Sequence, residues 1–218
     1  FRSNNSVKAV IWGDWGVGKT HTMRHLEYLV SQNNDYPGKT VFVELPDILK
    51  KSTFQVAHSA LLDAVGMQDI VAWLFYFQTK YQQNTTEAIQ KFTQSSDTAS
   101  AYMSLLSVGN AQAIAWKWLR GEVITSAEAS SVGLSLQLSQ SNQMSLALRF
   151  IGRLCKEAQK KTLILMVDEC TKIKEVTDHD SIGHWKNAFK NIFGKENKEI
   201  GFVISVTDSD EDSFPDPI

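Results

Sequence analysis

Apolar positions along this chain fall into two rhythms, short unbroken runs and helical stripes, and the two alternate. VKAVIW (Val7 to Trp12) is a β-branched apolar run ending at glycine, and it predicts a buried strand. After the glycine-rich stretch that follows, Met23, Leu26 and Val30 recur at helical spacing, so a helix is predicted from about Lys19. A Pro37-Gly38 turn leads into a second strand, KTVFVEL (Lys39 to Leu45). Phe54, Ala57, Leu61 and Val65 then form a stripe, with Ser52 or Thr53 as the expected N-cap and Gly66 as terminator. The stretch of roughly 68–158 is helical in character. Its stripes are Ile70, Trp73, Leu74, Phe77, Tyr81, then Ile114, Ala115, Trp118, Leu119, then Ala147, Ile151, Leu154, Ala158. Between them Gln82 to Ser100 reads as a polar linker with a short helix around Ala88 to Phe92, and SLQLSQSNQ as a polar connector. TLILMVDE (Thr162 to Glu169) is apolar without alternation, as in a central strand covered on both faces. A stripe of Trp185, Ala188, Phe189 and Ile192 follows, then a fourth strand, IGFVISVTD (Ile200 to Asp208). Strands alternating with helices predict an α/β fold with a parallel sheet, right-handed crossovers and a long helical insertion between strands two and three.

Composition narrows this picture only slightly. The 218 residues suffice for one sizeable core, so residues 1–218 are read as one domain. A net charge of -2 gives no global footprint for nucleic acid or an anionic membrane. Cys155 and Cys170 have no Cys or His neighbour at metal-ligand spacing and form no disulfide framework, which points to a reducing cytoplasm. No apolar run is long enough to span a bilayer. The chain opens FRSNN without methionine and stops at FPDPI, so a C-terminally truncated piece of a longer protein is expected.

The chemistry concentrates in VIWGDWGVGKTH. Its G-x-x-x-x-G-K-T pattern lies between a predicted strand and a predicted helix, the context a phosphate-binding loop requires. Glycines let successive backbone N–H groups curl toward phosphate oxygens, and the following helix adds its unpaired N–H groups. The expected nucleotide contacts are Gly13, Asp14, Trp15, Gly16, Val17, Gly18, Lys19, Thr20 and His21. Lys19 reaches the β- and γ-phosphates, and the Thr20 hydroxyl ligates Mg²⁺. Trp15 has two readings: an indole packed on the loop rim as a shield, or a contact for a partner subunit. His21 and His25 read as ordinary surface or packing residues. In a parallel sheet the third strand delivers Asp168 and Glu169 to the same edge as the loop. There Asp168 holds the Mg²⁺ shell, and Glu169 orients and deprotonates the attacking water. Thr207 or Asp208, ending the fourth strand, is a candidate γ-phosphate sensor or a simple turn initiator.

These residues together resemble an AAA+-type P-loop ATPase. The pattern is similar to Walker A at Gly13 to Thr20, Walker B at Leu163 to Glu169, and a sensor-1 strand at Phe202 to Asp208. The resemblance covers most of the chain and implies a P-loop NTPase three-layer sandwich. The long insertion is similar to that of the origin-recognition and STAND-like branches, and PDPI resembles the segment after sensor 1. WKWLRGEVITSAEASSVGLS (Trp116 to Ser135) resembles the ATP-binding proteins of bacterial BREX-type phage-defence loci. The family carries a fifth strand, an arginine finger and a lid. The chain ends before a lid, and no finger is assignable among Arg2, Arg24, Arg120, Arg149 and Arg153. The resemblance implies ATP and Mg²⁺ as cofactors, an ATPase gating or remodelling a larger complex, and self-association or other protein subunits as partners. The piece alone is expected to bind ATP better than it hydrolyses it. Two alternatives stay open: a nucleotide-dependent scaffold that recruits an effector with little turnover, and a DNA-loading ATPase, which needs a further DNA-binding domain.

Overall fold

The computed structural model describes residues 7–33, 38–135 and 137–207. Four strands, β1 (Lys8–Gly13), β2 (Gly38–Glu44), β3 (Thr162–Asp168) and β4 (Ile200–Thr207), form one all-parallel sheet in the order β1-β4-β3-β2. The helix α1 (Lys19–Gln32) connects β1 to β2, and α9 (His179–Phe193) connects β3 to β4 after a 3₁₀ turn at Cys170–Glu175. Between β2 and β3 lie α2 (Gln55–Val65), α3 (Met67–Tyr81), α4 (Thr85–Thr93), α5 (Ser96–Leu105), α6 (Asn110–Leu119), α7 (Ser126–Ser131) and α8 (Ser141–Gln159). The fold is therefore α/β with a long helical insertion, as the alternation of strand runs and stripes predicts.

Helices cover both faces of the sheet. Side chains alternate along a strand, so β3 sends Ile164 and Met166 toward Met23 of α1, and Leu163, Leu165 and Val167 into the larger core with α2, α8 and α9. Nearly every β3 side chain is buried, as its unbroken apolar run requires. The helix α8 joins the insertion to the sheet, touching β3 and β4 on one side and α2, α3, α4 and α9 around it. That approach depends on Gly152, where an added Cβ would collide with Ile200 Cγ1 and come within 2.7 Å of the Glu199 carbonyl oxygen.

Several expectations are corrected. The strand β1 is not a buried strand. It pairs only with β4 among the described residues, and this edge position leaves Val10 39% and Trp12 54% exposed. Gln82 to Ser100 does hold the short helix expected around Ala88 to Phe92, as α4, but the rest is no linker: a 3₁₀ turn and the start of α5 occupy it. Neither Ser52 nor Thr53 caps α2. Phe54 holds the N-cap position without a side-chain bond, and the Ser52 hydroxyl accepts the Leu49 amide instead. Gly66 does end α2, at φ +87°, and in the same step begins α3. The helix α8 begins inside the expected polar connector, at Ser141. Of the Pro37-Gly38 turn, Pro37 lies outside the described residues and Gly38 already belongs to β2. Among the described residues no single helix is long and apolar enough to cross a membrane. Gln55–Val65 (α2) and Met67–Thr93 (α3 through α4) pass on length and composition only jointly, across a 75° bend, and their apolar faces lie in the core.

Candidate functional site

The glycine loop takes the shape its residues predict. Gly16 and Gly18 sit at φ +79° and +89°, a region costly to any residue with a Cβ. The Lys19 ammonium donates to the Gly13 and Asp14 carbonyl oxygens, both at 2.8 Å, which closes the loop around the charged head. A lysine has three ammonium hydrogens, so one remains for an external acceptor. Gly18 caps α1 without a side-chain bond, and no acidic residue stands in the first turn. The leading N–H groups and the positive end of the helix dipole are therefore left uncompensated by the chain itself. Two neighbouring threonines behave differently. The Thr22 hydroxyl turns back onto the Gly18 carbonyl at 3.1 Å, whereas the Thr20 hydroxyl has no partner among the described residues.

Register brings the other candidate residues to the same sheet edge. Gly13 lies opposite Thr207, and Val167 opposite Ile204, so Asp168 comes level with Ser205. Asp168 is 3% exposed. Its Oδ1 accepts the Ser205 hydroxyl and, at 3.0 Å, the Glu169 amide; that amide also lies 3.2 Å from Ser205 Oγ. Oδ2 has no hydrogen-bond partner and Asp168 no ion pair among the described residues. A buried carboxylate in that state invites a cation. Oxygen donors such as Asp168 Oδ2 and the Thr20 hydroxyl are of the kind that suits a hard cation. No group of three or more His, Cys, Asp or Glu side chains gathers among the described residues to hold a metal alone. Glu169 follows with φ +61°, a left-handed conformation rare for a side chain of this kind.

The 3₁₀ turn Cys170–Glu175 ties this edge together. Thr171 Oγ1 accepts the Thr207 amide at 2.6 Å and donates to the Thr207 carbonyl at 3.2 Å. The Lys172 ammonium donates to the Leu45 carbonyl at 2.8 Å, just past β2. Farther along, the Thr177 and Asp178 amides share the Lys50 carbonyl, the Ser181 hydroxyl donates to Lys51, and the Trp185 indole N–H donates to Ser52. The segment from β2 to α2 is thus fastened to the chain that follows Glu169. Burial, with Asp168 and Glu169 adding to it, pushes the Cys170 thiol pKa up, and burial lifts Cys155 to about 12, so both thiols stay protonated.

Trp15 stands 82% exposed instead of packing on the loop rim, and Val17 beside it is 61% exposed. His21 and His25 lie on the exposed face of α1 with rings stacked 6.4 Å apart. Arg120 is structural: it bonds Ser59 and ion-pairs with Asp63 and Glu122, while Arg149 pairs with Glu199, Arg153 with Glu157, and Arg24 with Glu27. Arg2 and Asp208 lie outside the described residues. A cleft of about 580 Å³ lined by Tyr81, Phe92 and Arg153 belongs to the insertion and shares no residue with the glycine loop. Ser205, Thr171 and Lys172 are the members of the edge that motif reasoning passes over. Their one trace in the sequence is a hydroxyl or a charge beside an apolar strand. No family model, curated protein or solved structure matches the chain.

Proposed function

We propose that the chain is the nucleotide-binding core of an AAA+-type P-loop ATPase, taking ATP with Mg²⁺ at Gly13–His21 and hydrolysing it beside Asp168 and Glu169. The observation that supports this most is the shared edge: Gly13 opposite Thr207, and Asp168 level with Ser205, at the carboxyl ends of parallel strands where open α/β sheets bind ligands. Lys19 and the α1 N-terminus hold the phosphates, and Thr20 and Asp168 hold the cation, which neutralises charge on the phosphate oxygens when bound. Glu169 takes the proton of the attacking water, and Thr207 contacts the γ-phosphate. Nucleotide state then gates assembly or remodelling of a larger complex, because contacts to the γ-phosphate exist in one state only. Similarity of Trp116 to Ser135 to phage-defence ATP-binding proteins makes bacterial defence the proposed setting.

Equilibrium titration with ATP and Mg²⁺ tests the reading. Lys19→Ala removes a charge-assisted hydrogen bond and should weaken binding by roughly 10- to 100-fold. Affinity equal to the parent's would overturn the assignment of the loop. Glu169→Gln should keep that affinity and stop turnover. A parent that binds ATP yet turns over at background, with or without protein partners, supports the scaffold reading instead.

A further inference from the structure

We propose that Ser205 is the positioning residue of the cation site: its hydroxyl fixes the carboxylate of Asp168 and the backbone of Glu169 together, leaving one carboxylate oxygen for the metal. The inference rests on the nucleotide-site reading above and deepens it.

Ser205 is out of place by ordinary packing. It is 1% exposed within β4, with Ile204 before it, Val206 after it, and Phe202 and Val203 upstream. A hydroxyl buried there is costly unless bonded, and valine would fill such a strand position better. The hydroxyl uses both of its capacities on one neighbour segment. It donates to Asp168 Oδ1 and lies 3.2 Å from the Glu169 amide as acceptor. The Glu169 amide reaches Oδ1 as well, at 3.0 Å, so the three groups form a closed triangle. One oxygen of Asp168 is therefore committed, with two donors on it. The other has no hydrogen-bond partner, and the side chain no ion pair, among the described residues, although Asp168 is almost fully buried. Locking one oxygen orients the second, which is how outer partners of metal-ligating carboxylates act. The same hydroxyl helps hold Glu169 in its left-handed conformation, so a single side chain sets the directions of both acidic residues.

Two chain variants and two readouts test this. The parent should bind a fluorescent ADP analogue more tightly with Mg²⁺ than with EDTA, and bind Mn²⁺ in the nucleotide complex by electron paramagnetic resonance. In Ser205→Ala the metal-free nucleotide affinity should match the parent's, while Mn²⁺ affinity and the gain from Mg²⁺ fall about tenfold or more. Ser205→Thr, which keeps the hydroxyl, should restore both. A Ser205→Ala protein with the parent's Mn²⁺ affinity overturns the proposal. So does one whose metal-free affinity, metal affinity and melting temperature all fall together, since that is the mark of a packing residue. A parent that binds no nucleotide removes the underlying reading, and the proposal with it, before any variant is compared.

Discussion

Glu169 is the residue where backbone conformation and the proposed chemistry meet. Among the described residues three other side-chain-bearing positions have positive φ, Gln82, Gln94 and Lys160, and each ends a helix; Gln94 and Lys160 do so in the left-handed conformation, an ordinary terminator. Glu169 instead links a central strand to a 3₁₀ turn. It keeps that backbone because its amide is held by Asp168 and Ser205. Left-handed backbone costs a residue with a Cβ about 1 kcal/mol or more, a cost glycine escapes. Glu169→Gly should therefore raise chemical-denaturation stability by about 1 kcal/mol and, under the proposed function, remove turnover, whereas Glu169→Gln should leave stability near the parent's. A Glu169→Gly protein less stable than the parent would show that the backbone there is unstrained. The sequence makes the acidic pair easy to find, since Asp168 and Glu169 stand together after an apolar run. It hides Ser205 and Thr171, whose meaning depends on which strand lies alongside, and register is a tertiary fact.

At the scale of elements, helix ends explain both a sensitive junction and a misreading. The C-terminus of α6 leaves carbonyl groups without intrahelical partners, and α2 supplies them. His58 Nε2 lies 2.8 Å from the Leu119 carbonyl, and Gln55 donates to the Arg120 carbonyl at 3.2 Å. Since a carbonyl only accepts, the His58 proton sits on Nε2, and Nδ1 is left buried without a partner. Burial lowers the His58 pKa to about 4, against a smaller upward pull from Leu119. Between pH 6.5 and 4 the unfolded chain takes up a proton that the folded one refuses. Stability is therefore full above pH 6.5 and falls as pH drops through that window, by up to about 1.4 kcal/mol per pH unit. Denaturation midpoints of His58→Gln across this range should fall less steeply than the parent's; parallel slopes would remove His58 as the cause. The stripes that predicted α2, α3, α6, α8 and α9 are built from large apolar side chains. In α4 and α5 the buried face is made largely of Thr85, Thr93, Thr98, Ala99 and Ala101, with Ile89, Tyr102 and Leu105 too sparse to show a period. Thr85 and Thr93 turn their hydroxyls back onto the carbonyls of Gln82 and Ile89, so polar letters do the work of apolar ones.

For the whole molecule, the sheet edge and the insertion are one connected body. The turn after Glu169 holds β4 through Thr171 and the segment leaving β2 through Lys172, and that segment runs directly into α2. From α2 the core continues through α3, α6 and α8 back to β3. A displacement at Glu169 thus has a mechanical route into the insertion. The exposed Trp15 has a consequence of another kind. Of the six tryptophans, Trp73, Trp118 and Trp185 are buried, Trp116 is half-buried, and only Trp12 and Trp15 are largely open to water. The chain therefore carries its own optical reporter on the glycine loop, with no dye attached. Adding ATP and Mg²⁺ should shield part of the emission from acrylamide, and Trp15→Phe should abolish that change; a change that survives in Trp15→Phe belongs to Trp12 or to the interior. Under the proposed function, light absorbed by one indole then reads out occupancy of the loop in real time.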